Sequence, residues 1–283
     1  MASSIVTSIA LVTLLTWAWK VVKWVWLRPK QLGKWLREQG FKGNPYKLLF
    51  GDTKEMIPMM KEARSKPIDP CSDDIVPHFL PFHHHCVILH GKDYFQWLGP
   101  TPRLTITDPK LIKEILFNYE AFQKPGMNPL GKLLVTGLLG YEGEKWAKHR
   151  NLINPTFHLE KLKGWRFLPT KTNKRMKAIY HEVGSITMIL NEVLRLYSPA
   201  SYPIRAVHKK TRLGELLVPP GLEFLVPITA IHHYREIWGE DATEFKPERF
   251  AEGIIKATKG QSTFFPFSGG PRVCIGKNFA MVE

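Results

Sequence analysis

The amino-acid sequence predicts a mainly α fold with small β sheets, and three observations carry that expectation. Apolar residues recur at helical spacing, as in Ile186, Ile189, Leu190, Val193 and Leu194. Asp108-Pro109 supplies a capping side chain followed by a proline at the first helical position. Short runs beside Gly and Pro, such as residues 94–98 and 103–107 around Gly99-Pro100, look like strands of a small sheet. With 283 residues, 44% apolar and 23% charged, the chain has the composition of a folded protein and enough length for a substantial core.

Taken in order, the chain opens with an uncharged run from Ile5 to Trp19, which Val21, Val22, Trp24, Val25, Trp26 and Leu27 prolong past Lys20 and Lys23. That length suits a hydrocarbon core, with the two lysines near enough to its end to snorkel. Trp17, Trp19, Trp24 and Trp26 suit a membrane interface. Positive charge comes after the apolar run instead of before it, unlike a cleaved signal peptide. Residues 1–28 are therefore expected to be a single-pass anchor, with Lys20, Lys23, Arg28 and Lys30 keeping the rest of the chain in the cytosol.

Residues 31–39 and 53–65 have the period of short amphipathic helices, and a Gly43-Asn44-Pro45 break separates them from a small apolar run, Tyr46 to Phe50. The Pro- and His-rich stretch 67–90 is expected to be a solvated or interfacial loop. Its His83-His84-His85 has no acid or cysteine at ligand spacing. The helix begun by Asp108 would bury Leu111, Ile112, Ile115 and Leu116. Residues 183–197 form another helix, in which Glu192 and Arg195 stand three apart. Strands are expected over 202–207, 213–218 and 223–227, with a turn at Pro219-Pro220-Gly221.

Three cysteines without regular spacing, Cys71, Cys86 and Cys274, argue against a disulfide framework and fit a reducing compartment. The net charge of +15 calls for an anionic counterpart. No basic repeat, finger or aromatic nucleic-acid module is present, so nucleic acid is excluded as the partner. An anionic membrane face or an acidic protein fits better.

The most informative stretch runs from Phe264 to Ala280, a Gly- and Pro-rich loop holding one cysteine and leading into a helix start. A lone cysteine makes a poor zinc site, which needs several ligands at short spacing. It suits a single thiolate ligand to a haem iron. Gly270 would let the backbone turn close under a flat macrocycle, and Gly276 would let the next helix approach it. Arg272 offers a cation for a haem propionate. Taken alone, a free cysteine is more often an inert buried residue.

Phe267, Gly270, Arg272, Cys274 and Gly276 together fill the pattern F-x-x-G-x-R-x-C-x-G, and on it the chain resembles the cytochromes P450. Trp146 and Arg150 match the family's W-x-x-x-R, which the resemblance directs at a propionate; alone they would be an anchoring aromatic beside a solvated arginine. Glu192 and Arg195 match its E-x-x-R, and Arg249 lies in the P-E-R-F element downstream of it. The resemblance implies one buried carboxylate shared by the two arginines, and it gives Arg205 a further propionate contact. The wording around Asn154-Pro155-Thr156-Phe157-His158 and residues 159–163 is similar to plant microsomal members near secologanin synthase.

The resemblance implies both a fold and a function. The expected fold is the P450 fold in incomplete form: 1–28 an N-terminal membrane anchor, 29–176 the N-terminal part of the P450 domain, and 177–283 its proximal haem-binding part. The expected cofactor is haem b (iron protoporphyrin IX), with Cys274 as the metal ligand. Electrons would come from NADPH through a separate flavoprotein, NADPH-cytochrome P450 reductase. The expected place is the endoplasmic reticulum membrane, and the reaction is hydroxylation of a small lipophilic plant metabolite of terpenoid type.

One departure limits this. Only 46 positions separate Trp146 from Glu192, where the family has a long helical block. The A/G-G-x-D/E-T-T/S element of that block is not found, so no distal catalytic residue is identifiable, and the terminal strands are also expected to be missing. In this shortened form the chain is expected to hold haem poorly or not at all and not to turn over. The alternative is a non-catalytic, membrane-anchored haem-binding or interaction fragment. Uncovered apolar faces are expected either way.

Overall fold

A computed structural model describes residues 2–67, 74–126, 137–158, 186–199 and 202–281. Cys71, residues 159–163, the junction at 171–177 and the first turn of the helix expected from 183 lie outside them. The described chain is mainly helical with two small sheets, as its sequence patterning predicts.

Helix α1 (Ala2–Val22) continues through a π-helical turn, Lys23–Leu27, into α2 (Arg28–Glu38). From Ile5 to Glu38 it is long and apolar enough to cross a membrane. Its apolar side chains stay exposed through Trp26, except that Val25, and then Leu32 and Leu36, turn into the core. Pro29, four residues on, has no N–H for the Val25 carbonyl, and the Tyr46 hydroxyl donates to it at 2.7 Å.

Helix α3 (Thr53–Ser65) forms where its periodicity places it. The Pro- and His-rich stretch corrects the expectation of a loop, because α4 (Val76–Phe79) and α5 (Pro81–His90) occupy most of it. Prolines in the first turn of each helix cost no hydrogen bond. Phe82, His83 and Cys86 form a buried face on α5, and His83 Nδ1 meets the Tyr94 hydroxyl at 2.9 Å.

Six strands make the larger sheet: β1 (Lys42–Gly43), β2 (Tyr94–Leu98), β3 (Thr101–Thr105), β4 (Phe122–Gln123), β5 (Ile204–Val207) and β8 (Glu223–Leu225), in the order β1-β2-β3-β8-β5-β4. Residues 94–105 and 204–225, far apart in sequence, thus share one sheet through the parallel pairing of β3 with β8. The single strand expected over 213–218 is instead a hairpin, β6 (Thr211–Leu213) and β7 (Leu216–Val218). Gly214, at φ +53°, makes the reversal between them.

The core packs around this sheet. Phe95, Trp97, Leu104, Phe122 and Phe224 cluster with Ile112, Ile115 and Leu116 of α6 (Pro109–Phe117) and with Leu36 of α2. The predicted cap is made: Asp108 Oδ1 accepts from the backbone N–H of Lys110 at 2.7 Å and of Leu111 at 3.2 Å. Two further helices position the site, α7 (Gly143–Ile153) and α8 (residues 186–196). On α8 the apolar stripe faces outward: Ile186, Ile189 and Val193 are exposed while Glu192 and Arg195 are fully buried. The uncovered apolar face expected of a shortened chain is thus found on this helix.

Candidate functional site

The cysteine loop begins where Phe265 enters the core and ends in the short helix Lys277–Ala280. The Cys274 thiol is exposed, whereas that of Cys86, the other cysteine among the described residues, is wholly buried. Burial pushes the Cys86 thiol up to about 12, so it is inert. The Cys274 N–H donates to the Phe267 carbonyl at 2.9 Å, closing the loop across Gly269-Gly270. Gly270 has φ +67°, and a Cβ there would stand 2.5 Å from the Leu116 carbonyl oxygen. Its glycine is required by the turn and by the end of α6 beneath it, a tighter constraint than the flat ligand inferred from sequence. Gly276 differs: an added Cβ would meet only the Cys274 sulfur, at 3.9 Å, so the space beside that thiol is open.

Arg272 sits beside α7. Its guanidinium carbon lies 4.0 Å from the Trp146 ring centroid and 5.7 Å from that of Tyr119. It donates to the Tyr141 carbonyl at 3.0 Å and to the Glu142 carboxylate. Trp146 is buried and packs on Tyr119 with centroids 5.5 Å apart. Arg150, one turn along α7, donates to the Val273 carbonyl at 2.9 Å. Burial draws its guanidinium below the usual range, and Cys274 opposes this. Trp146, Arg150, Arg272 and Cys274, drawn from two segments more than a hundred residues apart, thus meet in one place.

Arg205 joins from the sheet. It is buried on β5 and bonded to the Ile204 carbonyl at 3.0 Å. Burial, then the charge of Arg272, draws its guanidinium down, with Glu142 opposing. A guanidinium does not give up its proton in a protein, so this shift measures how poorly compensated the charge is. Lys124, just beyond β4, belongs to the same group. Burial pushes its ammonium down to about 8, Arg272 adds to this, Glu142 opposes it and Arg205 adds again. Lys124, Glu142 and Tyr141 carried no motif signal; one carboxylate set among several cations could be found only once β4, β5 and α7 were brought together.

A second constellation lies behind the loop. Arg195 grips Glu192 with two bonds of 2.8 Å, from Nε and Nη2, and also reaches the carbonyls of His232 (2.6 Å), Ala242 and Glu244 (3.2 Å). Glu192 accepts further bonds from Arg249 Nε at 3.0 Å and from the Lys246 N–H at 2.8 Å. Burial works to raise the Glu192 carboxyl, but its bonds to Arg195, Lys246 and Arg249 outweigh that and hold it below the carboxylate range. Arg249 also spans to the Asp241 side chain and carbonyl, at 3.2 and 2.8 Å. His232 links this core to the loop: Nδ1 faces the Arg195 carbonyl and Nε2 accepts from the Phe265 N–H, each at 3.1 Å.

Comparison with known proteins places the chain. The sequence profile described as "Cytochrome P450" matches residues 79–185 and 174–283. Cytochrome P450 CYP72A219 of Panax ginseng is 33% identical over an alignment covering 97% of this chain and 89% of that protein. The 7-deoxyloganic acid hydroxylase of Catharanthus roseus is 32% identical, covering 95% and 88%. The echinocystic acid 23-monooxygenase of Saponaria officinalis is 30% identical, covering 99% and 91%. The ginseng alignment has 463 positions against a chain of 283, so at least 180 of its positions hold no residue of this chain. Shorter than these full-length relatives, the chain belongs to the cytochrome P450 family, among plant members of the CYP72A type.

Proposed function

We propose that this chain carries the proximal half of a haem-thiolate monooxygenase site, with Cys274 as the iron ligand and a cationic pocket for the propionates of haem b. The observation that carries the reading is the meeting of an exposed thiol with an excess of buried positive charge. Arg272 and Arg205 share a single carboxylate, Glu142, whose Oε1 is itself buried without a partner. Buried charges require compensation, and carboxylates arriving with a ligand would provide it. The open space beside Gly276 leaves room for a flat group against the sulfur.

Each residue has a task in this reading. The Cys274 N–H bond to Phe267 and the Arg150 bond to the Val273 carbonyl fix the peptides beside the sulfur. Arg150 also puts a positive charge near the sulfur. Trp146 sets its ring against the Arg272 guanidinium, and Gly270 seats the loop on α6. The Glu192–Arg195–Arg249 core and His232 hold the loop from behind. When bound, haem supplies the oxygen chemistry of the family, RH + O2 + two electrons + two protons giving ROH + water. The protein's part is placement, exclusion of water and delivery of protons.

Family membership supports an endoplasmic reticulum anchor in residues 1–28, electrons from NADPH through a flavoprotein reductase, and a small lipophilic plant metabolite of terpenoid class as the parent substrate. The positions absent relative to the ginseng protein leave no distal acid-and-hydroxyl element in the sequence, so turnover is lost; the meeting of the exposed thiol with buried cations favours haem capture, against the poor binding expected from the shortened length. Hemin titration of the purified chain, monitored by quenching of tryptophan fluorescence, tests this. Wild type binds stoichiometrically and Arg272→Leu binds at least tenfold more weakly. With reductase and NADPH, neither forms product from a terpenoid test substrate. Equal binding by Arg272→Leu, or product formation by the wild type, contradicts the reading.

A further inference from the structure

We propose that the cavity where the long apolar helix meets the larger sheet is a phosphate-ester site, with Arg28 as the anion's partner. The inference rests on the anchor reading of residues 1–28 and is independent of haem. The cavity, of about 220 Å³, is walled by Trp24, Arg28, Thr101, His208, Gly221 and Glu223 among others. Arg28 lies across the turn that leads into β8. Its Nη2 reaches the Pro220 carbonyl at only 3.4 Å, and a Cβ on Gly221 would stand 2.3 Å from that nitrogen. Gly221, at φ +92°, thus serves both the turn and the guanidinium laid over it. The carboxylate in the wall, Glu223, is already held by Arg103 at 2.6 Å. Arg28 is exposed and makes no ion pair among the described residues, so its charge is left for an anion from outside.

Depth along the helix points to the source of that anion. The helix runs unbroken from Ile5 through the π turn to Arg28, 23 residues on. At about 1.5 Å per residue that is about 35 Å, just past a hydrocarbon core of about 30 Å. Arg28 therefore lies at the level of lipid phosphates, and Trp24, in the same wall, suits that depth. A guanidinium fork meets phosphate oxygens in pairs. The Thr101 hydroxyl and the His208 ring line the same space, and neither is hydrogen-bonded among the described residues. Lys23 and Lys30 on the helix, with Lys209 and Lys210 after His208, add attraction to any anionic surface. None of these lysines walls the cavity, so Arg28 is what separates a seated phosphate from diffuse attraction.

The test is native mass spectrometry of the purified full chain in neutral detergent, with dioleoyl phosphatidic acid, dioleoyl phosphatidylcholine or glycerol 3-phosphate added. Wild type is expected to hold one phosphatidic acid per chain, with about fivefold higher occupancy than phosphatidylcholine reaches. Arg28→Gln should lower that occupancy about fivefold. Lys30→Gln should lower it less than about twofold, because Lys30 stands over the Trp26 ring, outside the cavity. Displacement by glycerol 3-phosphate supports a site open to soluble phosphate esters, and retention against it supports a site for the lipid headgroup. Protection of Arg28 from phenylglyoxal by phosphatidic acid, read on the wild type by peptide mass spectrometry, gives the same answer without a variant. Equal losses in the two variants, or no preference for phosphatidic acid, overturn the inference, because the attraction would then be diffuse. Alkaline carbonate extraction keeps the two readings apart. A chain released from membranes loses the anchor and this site together, whereas a retained chain with equal losses loses this site alone.

Discussion

The Phe265 N–H donates to Nε2 of His232 across 3.1 Å, while Nδ1 of the same ring lies 3.1 Å from the Arg195 carbonyl. An accepting Nε2 puts the ring proton on Nδ1, so His232 is neutral and donates to Arg195. Burial pushes its pKa down to about 3, against the pull of the Arg195 carbonyl. His83 is pushed down to about 4, again by burial. Both rings are neutral in the fold and charge in the unfolded chain below about pH 6.5. Their contribution is therefore complete above that pH and is lost as pH falls toward 4 for His83 and 3 for His232. Urea denaturation should show stability falling by about 2 kcal/mol per histidine between pH 6.5 and 5. Replacing His232 with Phe should flatten that slope.

Glu192 is the most expensive side chain to alter. It is fully buried and accepts from Arg195, Arg249 and the Lys246 N–H. Glu192→Gln leaves the buried Arg195 guanidinium without its counter-charge and Arg249 with Asp241 alone, and should cost about 3–5 kcal/mol in urea denaturation. A loss below about 1 kcal/mol would mean that the core reorganises around water.

The two loop glycines separate folding from ligand capture. Gly270→Ala meets the Leu116 carbonyl from a left-handed backbone, so it should destabilise the chain by about 1–3 kcal/mol and lift the loop off α6. Gly276 has φ −81°, and its substituted Cβ meets only the Cys274 sulfur. Gly276→Val should therefore leave the melting temperature within a few degrees while lowering hemin affinity. The same loss of stability in both variants contradicts this division.

Asp108→Ala removes the cap of α6, leaving the N–H groups of Lys110 and Leu111 to solvent. About 1 kcal/mol of stability should go with it, with hemin affinity unchanged.

Much of the fold was legible where the signal is local. The α3 period, the aromatic-rich β2 run ending at Gly99-Pro100 and the Asp108-Pro109 cap each depend on neighbours within a few residues. The features that escaped depend on partners far away. Nothing within 67–90 announces that Tyr94 will meet the His83 side chain and help seat one face of a helix in this proline-rich stretch. The apolar stripe of α8 points outward because the meander up to Arg249 claims its polar side. The site divides in the same way. Cys274, Arg272, Trp146 and Arg150 stand in recognisable spacings. Lys124 and Glu142 gain meaning only from the β4–β5 register and the approach of α7.

The most direct measurement is the absorbance spectrum of the hemin-loaded, reduced chain under carbon monoxide, taken for wild type and for Cys274→Ser. The account predicts a red-shifted, thiolate-type Soret band in the wild type that the serine variant lacks, with both variants folded by circular dichroism. An identical band in both would contradict it, because the sulfur at 274 would then not be the ligand.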